Sequence, residues 1–378
     1  MKKIYLDFAA ATPMDLAVQT AMAPYFATKF YNPSATYLAA KSVKKDLNEA
    51  RGRIAHWLGC RPNEITFTAG GTEANNLAIN GVMQAFPTSN VLVSAIEHES
   101  ILKPAESHKH KIINVLPNGR IDIIDLKKKI DDKTVLVSVM YANNEIGTVQ
   151  PLKDTAKIID QIRNQRIRTK NNLPIYFHTD ACQAANYLDL HVHRLGVDLM
   201  TINGGKIYGP KQSGALFVKT GTKIHPQILG GGQENGLRSG TENVPAIIGL
   251  EKALDIAQTM RREESDRLKE LQQFFIDQLQ DKLPNSVING SKTRRLPNNV
   301  HVTIPGQDNE RLMMALDEQG IMCATGSACS ASAEEPSHVL SAIGISKKNA
   351  QASLRFTMGR TTTKSDIISV IRILTSLI

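Results

Sequence analysis

Ile65-Thr66-Phe67-Thr68-Ala69-Gly70-Gly71-Thr72-Glu73 is the stretch whose reading decides the fold class. Four β-prone residues run without a charge, two glycines break the run, and helix-like spacing starts at Glu73. A strand that feeds through a glycine turn directly into a helix is the repeating unit of α/β folds. The same punctuation recurs downstream. Val91-Leu92-Val93-Ser94, Val135-Leu136-Val137-Ser138-Val139, Ile175-Tyr176-Phe177-His178 and Ala215-Leu216-Phe217-Val218 read as short buried strands. Helix-length segments such as residues 152–163 lie between them. Strands that are apolar on both faces, alternating with helices, predict a mostly parallel sheet covered by helices on each side.

The pattern changes after about residue 250. A long charged helical stretch over residues 250–283 comes first, with Leu254, Ile256, Leu268, Leu271, Phe275 and Leu279 on one face. Val300-His301-Val302-Thr303-Ile304 then reads as a strand, residues 309–319 as a helix, and a Gly/Ser/Ala-rich loop and a final helix follow. This predicts a smaller α+β domain. The expected division is a large domain over residues 14–250 and a small one made of residues 1–13 and 251–378.

Composition bounds the rest. The 378 residues are 42% hydrophobic and 21% charged, as in an ordinary globular chain. No apolar run approaches the ~18 residues that a membrane span needs. Asp7 interrupts any signal-like stretch behind Lys2 and Lys3, which predicts a cytoplasmic protein. Four cysteines (Cys60, Cys182, Cys323 and Cys329) in so long a chain do not make a disulfide framework, and without a C-x-x-C pair no metal site is expected. The net charge of +9 suits an acidic partner or a merely basic surface, and does not by itself predict direct nucleic-acid binding. The densest basic run, residues 163–170, follows an amphipathic pattern and is expected to be a solvated helix end.

Three places carry chemistry. In Asn203-Gly204-Gly205-Lys206-Ile207-Tyr208-Gly209-Pro210-Lys211 a lysine follows an apolar stretch and sits among glycines, which let a ligand approach the backbone. A lysine that loses its proton there can form a Schiff base with an aldehyde cofactor. In His178-Thr179-Asp180-Ala181-Cys182-Gln183 a carboxylate ends a buried strand, where open α/β sheets place ligands. Such a carboxylate can hold the pyridinium nitrogen of pyridoxal phosphate protonated. The Gly70-Gly71-Thr72 junction offers helix N–H groups and a hydroxyl to a phosphate. Singly each has a plainer reading: a surface lysine, a helix N-cap, a common strand–helix turn.

Together with other motifs these residues identify a resemblance. The chain resembles the cysteine desulfurases, in the class V aminotransferase group of fold-type I pyridoxal-phosphate enzymes. The matches run in family order through Tyr5-Leu6-Asp7-Phe8-Ala9-Ala10-Ala11-Thr12-Pro13, Asn32-Pro33-Ser34, Glu97-His98 and Asn143-Asn144-Glu145-Ile146-Gly147. They continue through Asp180 to Gln183, Lys206 to Lys211, Gly230-Gly231-Gly232-Gln233-Glu234, Arg238-Ser239-Gly240-Thr241, Gly326-Ser327-Ala328-Cys329 and Arg355-Phe356. The resemblance implies a large domain built on a mostly parallel seven-stranded sheet flanked by helices, plus the small α+β domain. It implies that Lys206 binds the cofactor covalently, that His98 stacks on its ring and moves protons, and that Asp180 and Gln183 hold the ring nitrogen and hydroxyl. Asn144 then positions ring and substrate, Gly71 and Thr72 hold the phosphate, and Arg355 clamps the substrate carboxylate. Thr241 reaches the cofactor phosphate of the other subunit of a homodimer. Cys329 takes the sulfur of L-cysteine as a persulfide, leaves L-alanine, and passes the sulfur to an acceptor protein in iron–sulfur assembly or tRNA thiolation.

The residues around Cys329 agree with that role. In Ala324-Thr325-Gly326-Ser327-Ala328-Cys329-Ser330-Ala331-Ser332-Ala333 every other side chain is small or absent, so the loop is expected to deform cheaply and swing a thiol between pocket and solvent. Cys323, in an apolar stretch, reads as core, and Cys182 as packing beside the cofactor. Two features depart from the family. Asn203, Gly204 and Gly205 stand where Ser/Thr, a small residue and His usually precede the lysine, so phosphate anchoring is expected to be rearranged, with the Asn203 amide as one donor. The chain also ends at Ile378, short of the tail with which longer relatives bind the iron–sulfur scaffold. The competing readings are a selenocysteine lyase, another class V aminotransferase with no need of Cys329, and a non-catalytic pyridoxal-phosphate-binding or RNA-binding protein.

Overall fold

A computed structural model describes residues 3–326 and 337–378. Strand β1 (Ile4–Tyr5) opens the chain. The central sheet is built from β2 (Ile65–Thr68), β3 (Asn90–Ser94), β4 (His110–Ile113), β5 (Thr134–Ser138), β6 (Tyr176–Asp180), β7 (Leu199–Asn203) and β8 (Gly214–Val218). Their spatial order is β2-β8-β7-β6-β5-β3-β4. All of these pairings are parallel except those of β8, which runs antiparallel to both β2 and β7. The sheet is therefore mostly parallel and seven-stranded, as the resemblance implies. Because β8 alone is reversed, the C-terminal ends of the other six strands share one edge, where an α/β sheet presents its site.

The inner strands are almost wholly buried because both faces of the sheet are covered. Leu92, Val137, Phe177, Met200 and Phe217 point into one core, with Leu47 and Ile54 of the helix Leu38–Leu58. Their chain neighbours Val91, Val93, Leu136, Leu199 and Leu216 point into a second core, with Leu77 and Val82 of the helix Gly71–Ala85. The period of two along each strand divides the two cores cleanly.

A third core lies under a smaller sheet. Strands β9 (Val287–Ile288) and β12 (Ser353–Thr357) flank β10 (Asn299–Thr303) in antiparallel pairing, while β11 (Ile321–Met322) runs parallel to β1. Val300, Val302, Leu354 and Phe356 of this sheet pack on Leu268, Phe275 and Leu279. Those three belong to a helix of 39 residues, Val244–Lys282, whose first turns put Leu250 and Leu254 into the core of the large sheet. Asn243 caps it, accepting from the Ala246 N–H at 3.2 Å, and Pro245 sits in the first turn, where a missing N–H costs nothing. One unbroken helix thus serves both cores, and residue 250 lies within it.

One expectation fails. The basic run at residues 163–170 is not a solvated helix end throughout. Arg166 is only 4% exposed, and its guanidinium donates to four backbone carbonyls, of Leu173, Pro174, Asp131 and Thr134, at 2.7–3.1 Å. Arg163 reaches the Ile175 carbonyl and the carboxylate of Asp198. These loops lead into β5 and β6 and leave carbonyls that only a long forked donor can satisfy. Replacing Arg166 by methionine is expected to cost about 3 kcal/mol, the scale of breaking a buried polar network, and to lower the urea midpoint. An unchanged midpoint would show those carbonyls to be hydrated instead. Among the described residues no helix is long and apolar enough to cross a membrane.

Candidate active site

The site forms where loops leave the common edge of the sheet. After β2 the chain turns at Gly70, whose φ of +136° only glycine adopts without strain. The helix Gly71–Ala85 begins there, and its first N–H groups have no partner within the helix. A Cβ on Gly71 would stand 2.9 Å from the Cys182 sulfur, so no larger residue fits between this helix start and the β6 loop. After β3, His98 caps the helix Glu99–Glu106, and its Nδ1 accepts the Ser100 N–H at 3.1 Å. That bond leaves the neutral ring with its proton on Nε2. After β5 the turn at residues 140–144 places Asn144. At the end of β6, Asp180 accepts from the Cys182 N–H at 2.9 Å and from the Asn75 amide at 2.7 Å. After β7 a short turn, Gly204–Lys206, carries the lysine, and the Asn203 Oδ1 fixes it by accepting the Gly205 N–H at 3.0 Å. Lys206 Nζ donates to the carbonyls of Ala9 and Ala10 at 3.0 and 2.6 Å.

Gly71, Thr72, His98, Asn144, Asp180, Gln183, Asn203, Lys206 and Arg355 line a single cavity of about 280 Å³. Nine of the eleven residues singled out in the sequence therefore converge. Thr241 does not: it is exposed and borders a separate cavity with Arg238 and Ala246. Cys329 lies outside the described residues. Sequence reasoning missed Asn75, which holds the Asp180 carboxylate, and Asp7, which accepts from Arg355 Nη2 at 2.7 Å. The Asn75 signal was its spacing, one helical turn beyond Gly71. Asp7 lies in a stretch that matches the family, but nothing local marks Arg355, 348 residues away, as its partner.

The lining fits pyridoxal phosphate. It offers an amine at Lys206, a buried carboxylate at Asp180 with acceptor capacity left over, and a helix start with the Thr72 hydroxyl for a phosphate. It also fits an amino-acid carboxylate. Arg355 is 2% exposed and spends Nη1 on the Asn144 carbonyl and Nη2 on Asp7, yet its Nε has no acceptor among the described residues. A buried orphan donor of that kind is costly unless a ligand satisfies it.

The described thiols are chemically quiet. Burial pushes Cys60 and Cys323 up to about 12, and pushes Cys182, which also faces Asp180, well above the ordinary thiol range. Cys182 packs at the cavity wall and Cys323 packs partly buried against the third core, as expected. Beneath the site burial also drives Glu97 well above the ordinary carboxylate range and His178 down to about 4.

The family profile described as Aminotransferase class-V matches residues 4–370, and the chain belongs to that family. A cysteine desulfurase, IscS, of Dictyoglomus turgidum is 42% identical over 97% of this chain and 92% of its own length. The solved NifS-like protein of Rickettsia africae superposes with a TM-score of 0.88 at 32% identity, covering 100% of this chain and 99% of its own. SspA, solved in complex with cysteine, superposes with a TM-score of 0.81 at 32% identity over 94% of this chain and 99% of its own. Within its family the chain is a cysteine desulfurase.

Proposed function

We propose that this chain takes the sulfur of L-cysteine onto Cys329, with pyridoxal phosphate in the cavity, and releases L-alanine. One observation carries the reading: the Lys206 amine, the Asp180 carboxylate, the helix start at Gly71 and the orphan Nε of Arg355 border the same cavity. When bound there, pyridoxal phosphate supplies the electron withdrawal at Cα that loosens the substrate's β-carbon–sulfur bond. Asp180 keeps the proton on the ring nitrogen, and Asn75 holds Asp180 in place. The Gln183 amide, with one N–H on the Ala9 carbonyl at 3.0 Å, has a second for the ring hydroxyl. Gly71, Thr72 and the Asn203 amide take the phosphate. Arg355 and Asn144 orient the substrate carboxylate, and His98 and Lys206 move protons at the substrate carbons.

Cys329 supplies the nucleophile. Its thiolate bonds to the substrate sulfur, the β-carbon–sulfur bond breaks, and the electron pair stays with the carbon, which is protonated and leaves as alanine. The other three thiols are poor candidates because burial keeps them protonated. The persulfide then passes its outer sulfur to a thiol of an acceptor protein, serving iron–sulfur assembly or tRNA thiolation. The exposed Thr241 completes the phosphate site of a second copy in a homodimer. The test is to incubate the protein with pyridoxal phosphate, L-cysteine and dithiothreitol. Alanine and sulfide should appear in equal amounts; pyruvate and ammonia in place of alanine would overturn the reading.

A further inference from the structure

Glu145 is nearly fully buried, at 1% exposure, yet neither the cofactor nor the substrate assignment uses it. Its backbone is fixed twice: the N–H donates to Asn143 Oδ1 at 2.9 Å, and the carbonyl accepts from the Asn299 amide at 2.7 Å. Its Oε2 accepts from the Ser337 hydroxyl at 2.5 Å. That hydroxyl also accepts the N–H groups of Val339 and Leu340, which cap the helix His338–Ala342. With its lone pairs turned to the helix, its single proton belongs to Glu145.

Ser337 and Gly326 are the described residues that flank the segment containing Cys329. A Cβ built on Gly326 would stand 3.9 Å from Glu145 Oε2 and 4.0 Å from the Ser337 Cβ. The upstream end therefore passes beside the carboxylate that the downstream end bonds. The upstream end is tied further by two backbone bonds between Ala324 and Arg355, at 2.7 and 3.1 Å. The downstream end is tied by His338 Nε2, 2.9 Å from the Glu97 carbonyl. Cys329 is three residues from Gly326, and chain geometry limits such a reach to about 11 Å. Whatever holds this stem sets the point from which the thiol reaches.

We propose that Glu145 is a positioning residue for sulfur transfer: through the Ser337 hydroxyl it holds the downstream end of the Cys329 segment beside the upstream end at Gly326. The anchor is one residue from Asn144, which lines the cavity and whose carbonyl accepts from Arg355. Substrate clamp and thiol stem thus share one rigid turn. The inference rests on Cys329 as the sulfur carrier.

Two near-isosteric substitutions test it. Ser337→Asn and Ser337→Asp both keep a good helix cap. The asparagine can still donate to Glu145, whereas at pH 8 the aspartate sets a second carboxylate against it. In the cofactor-loaded enzyme, Ser337→Asp should lower kcat about ten- to a hundred-fold, the scale of ångström misplacement, with KM for L-cysteine nearly unchanged. Ser337→Asn should recover to within about three-fold, because only the donor decides. Glu145→Ala, which leaves the cap intact, should repeat the aspartate result, so the test does not hang on the folding of one variant. Equal kcat for Ser337→Asp, Ser337→Asn and the parent, or a loss confined to KM, overturns the proposal. Cys329→Ala run alongside separates the two claims. If it still makes sulfide, the carrier reading fails; if it is inert while Ser337→Asp matches the parent, the anchor alone fails.

Discussion

Lys206→Ala is expected to lower alanine release by at least about a thousand-fold, because one side chain both holds the cofactor and moves protons at the substrate. The loss should be chemical and not structural. Lys206 is only partly buried, and its carbonyl still accepts from the Asn186 amide at 2.7 Å, so the turn Gly204–Lys206 keeps its shape without the amine. The carbonyls of Ala9 and Ala10, which receive Nζ, can turn to water at the cavity mouth. Two measurements follow. The melting temperature should stay near that of the parent, and the visible absorption that pyridoxal phosphate gains on joining a lysine should vanish. Persistence of that band with turnover intact would place the reactive amine elsewhere, with Lys211 the first suspect.

Much of this architecture is readable in one dimension, and the reason is local. Strands β3, β5 and β8 are apolar on both faces and β2 and β6 are rich in β-prone residues, so each stands out as a run, and the glycines behind β2 and β7 mark where the chain must turn over a ligand. The helix Leu38–Leu58 carries Val43, Leu47, Ala50, Ile54 and Leu58 at three- and four-residue spacing and is equally legible, but a reading keyed on strand runs passes over it. Contacts between distant segments are not legible. Asp7 meets Arg355 across 348 residues, and Glu145 meets Ser337 across 192. Neither pair has a local signal, because each partner satisfies the other only once β1, β11 and β12 have assembled. Arg166 fails for a related reason. It stands in a basic run, and nothing near it in the chain tells that four carbonyls from other loops converge on its guanidinium. Lys206 and Asp180 were found because cofactor chemistry demands those residue types at strand ends; the residues that hold them, Asn75 among these, answer only to the fold.

Cys329→Ser should separate cofactor chemistry from sulfur transfer more sharply than any other single change. Lys206, Asp180, Asn75 and Arg355 are untouched, so the protein should take up pyridoxal phosphate, show the parent's visible band, and bind L-cysteine with a similar spectral response. Sulfide release should fall by at least about a thousand-fold, since a hydroxyl near neutral pH offers almost none of the anion that a thiol does. The remaining thiols cannot substitute. Cys60 and Cys323 are held at about 12, so at pH 8 less than about one part in a thousand of either is ionised, and burial beside Asp180 drives Cys182 up as well. Raising the pH to 9 should therefore leave the variant inert, whereas recovery there would mean that a described thiol, Cys182 at the cavity wall above all, can take the sulfur. A transaminase would respond otherwise, since it needs no thiol and would turn over with Cys329 replaced. Iodoacetamide supplies an independent check. One thiol of the native parent should be alkylated rapidly and none in Cys329→Ser, because burial keeps the thiols of Cys60, Cys182 and Cys323 protonated. Rapid labelling that survives the substitution would transfer the reactive role to Cys60, Cys182 or Cys323 and remove Cys329 from the chemistry.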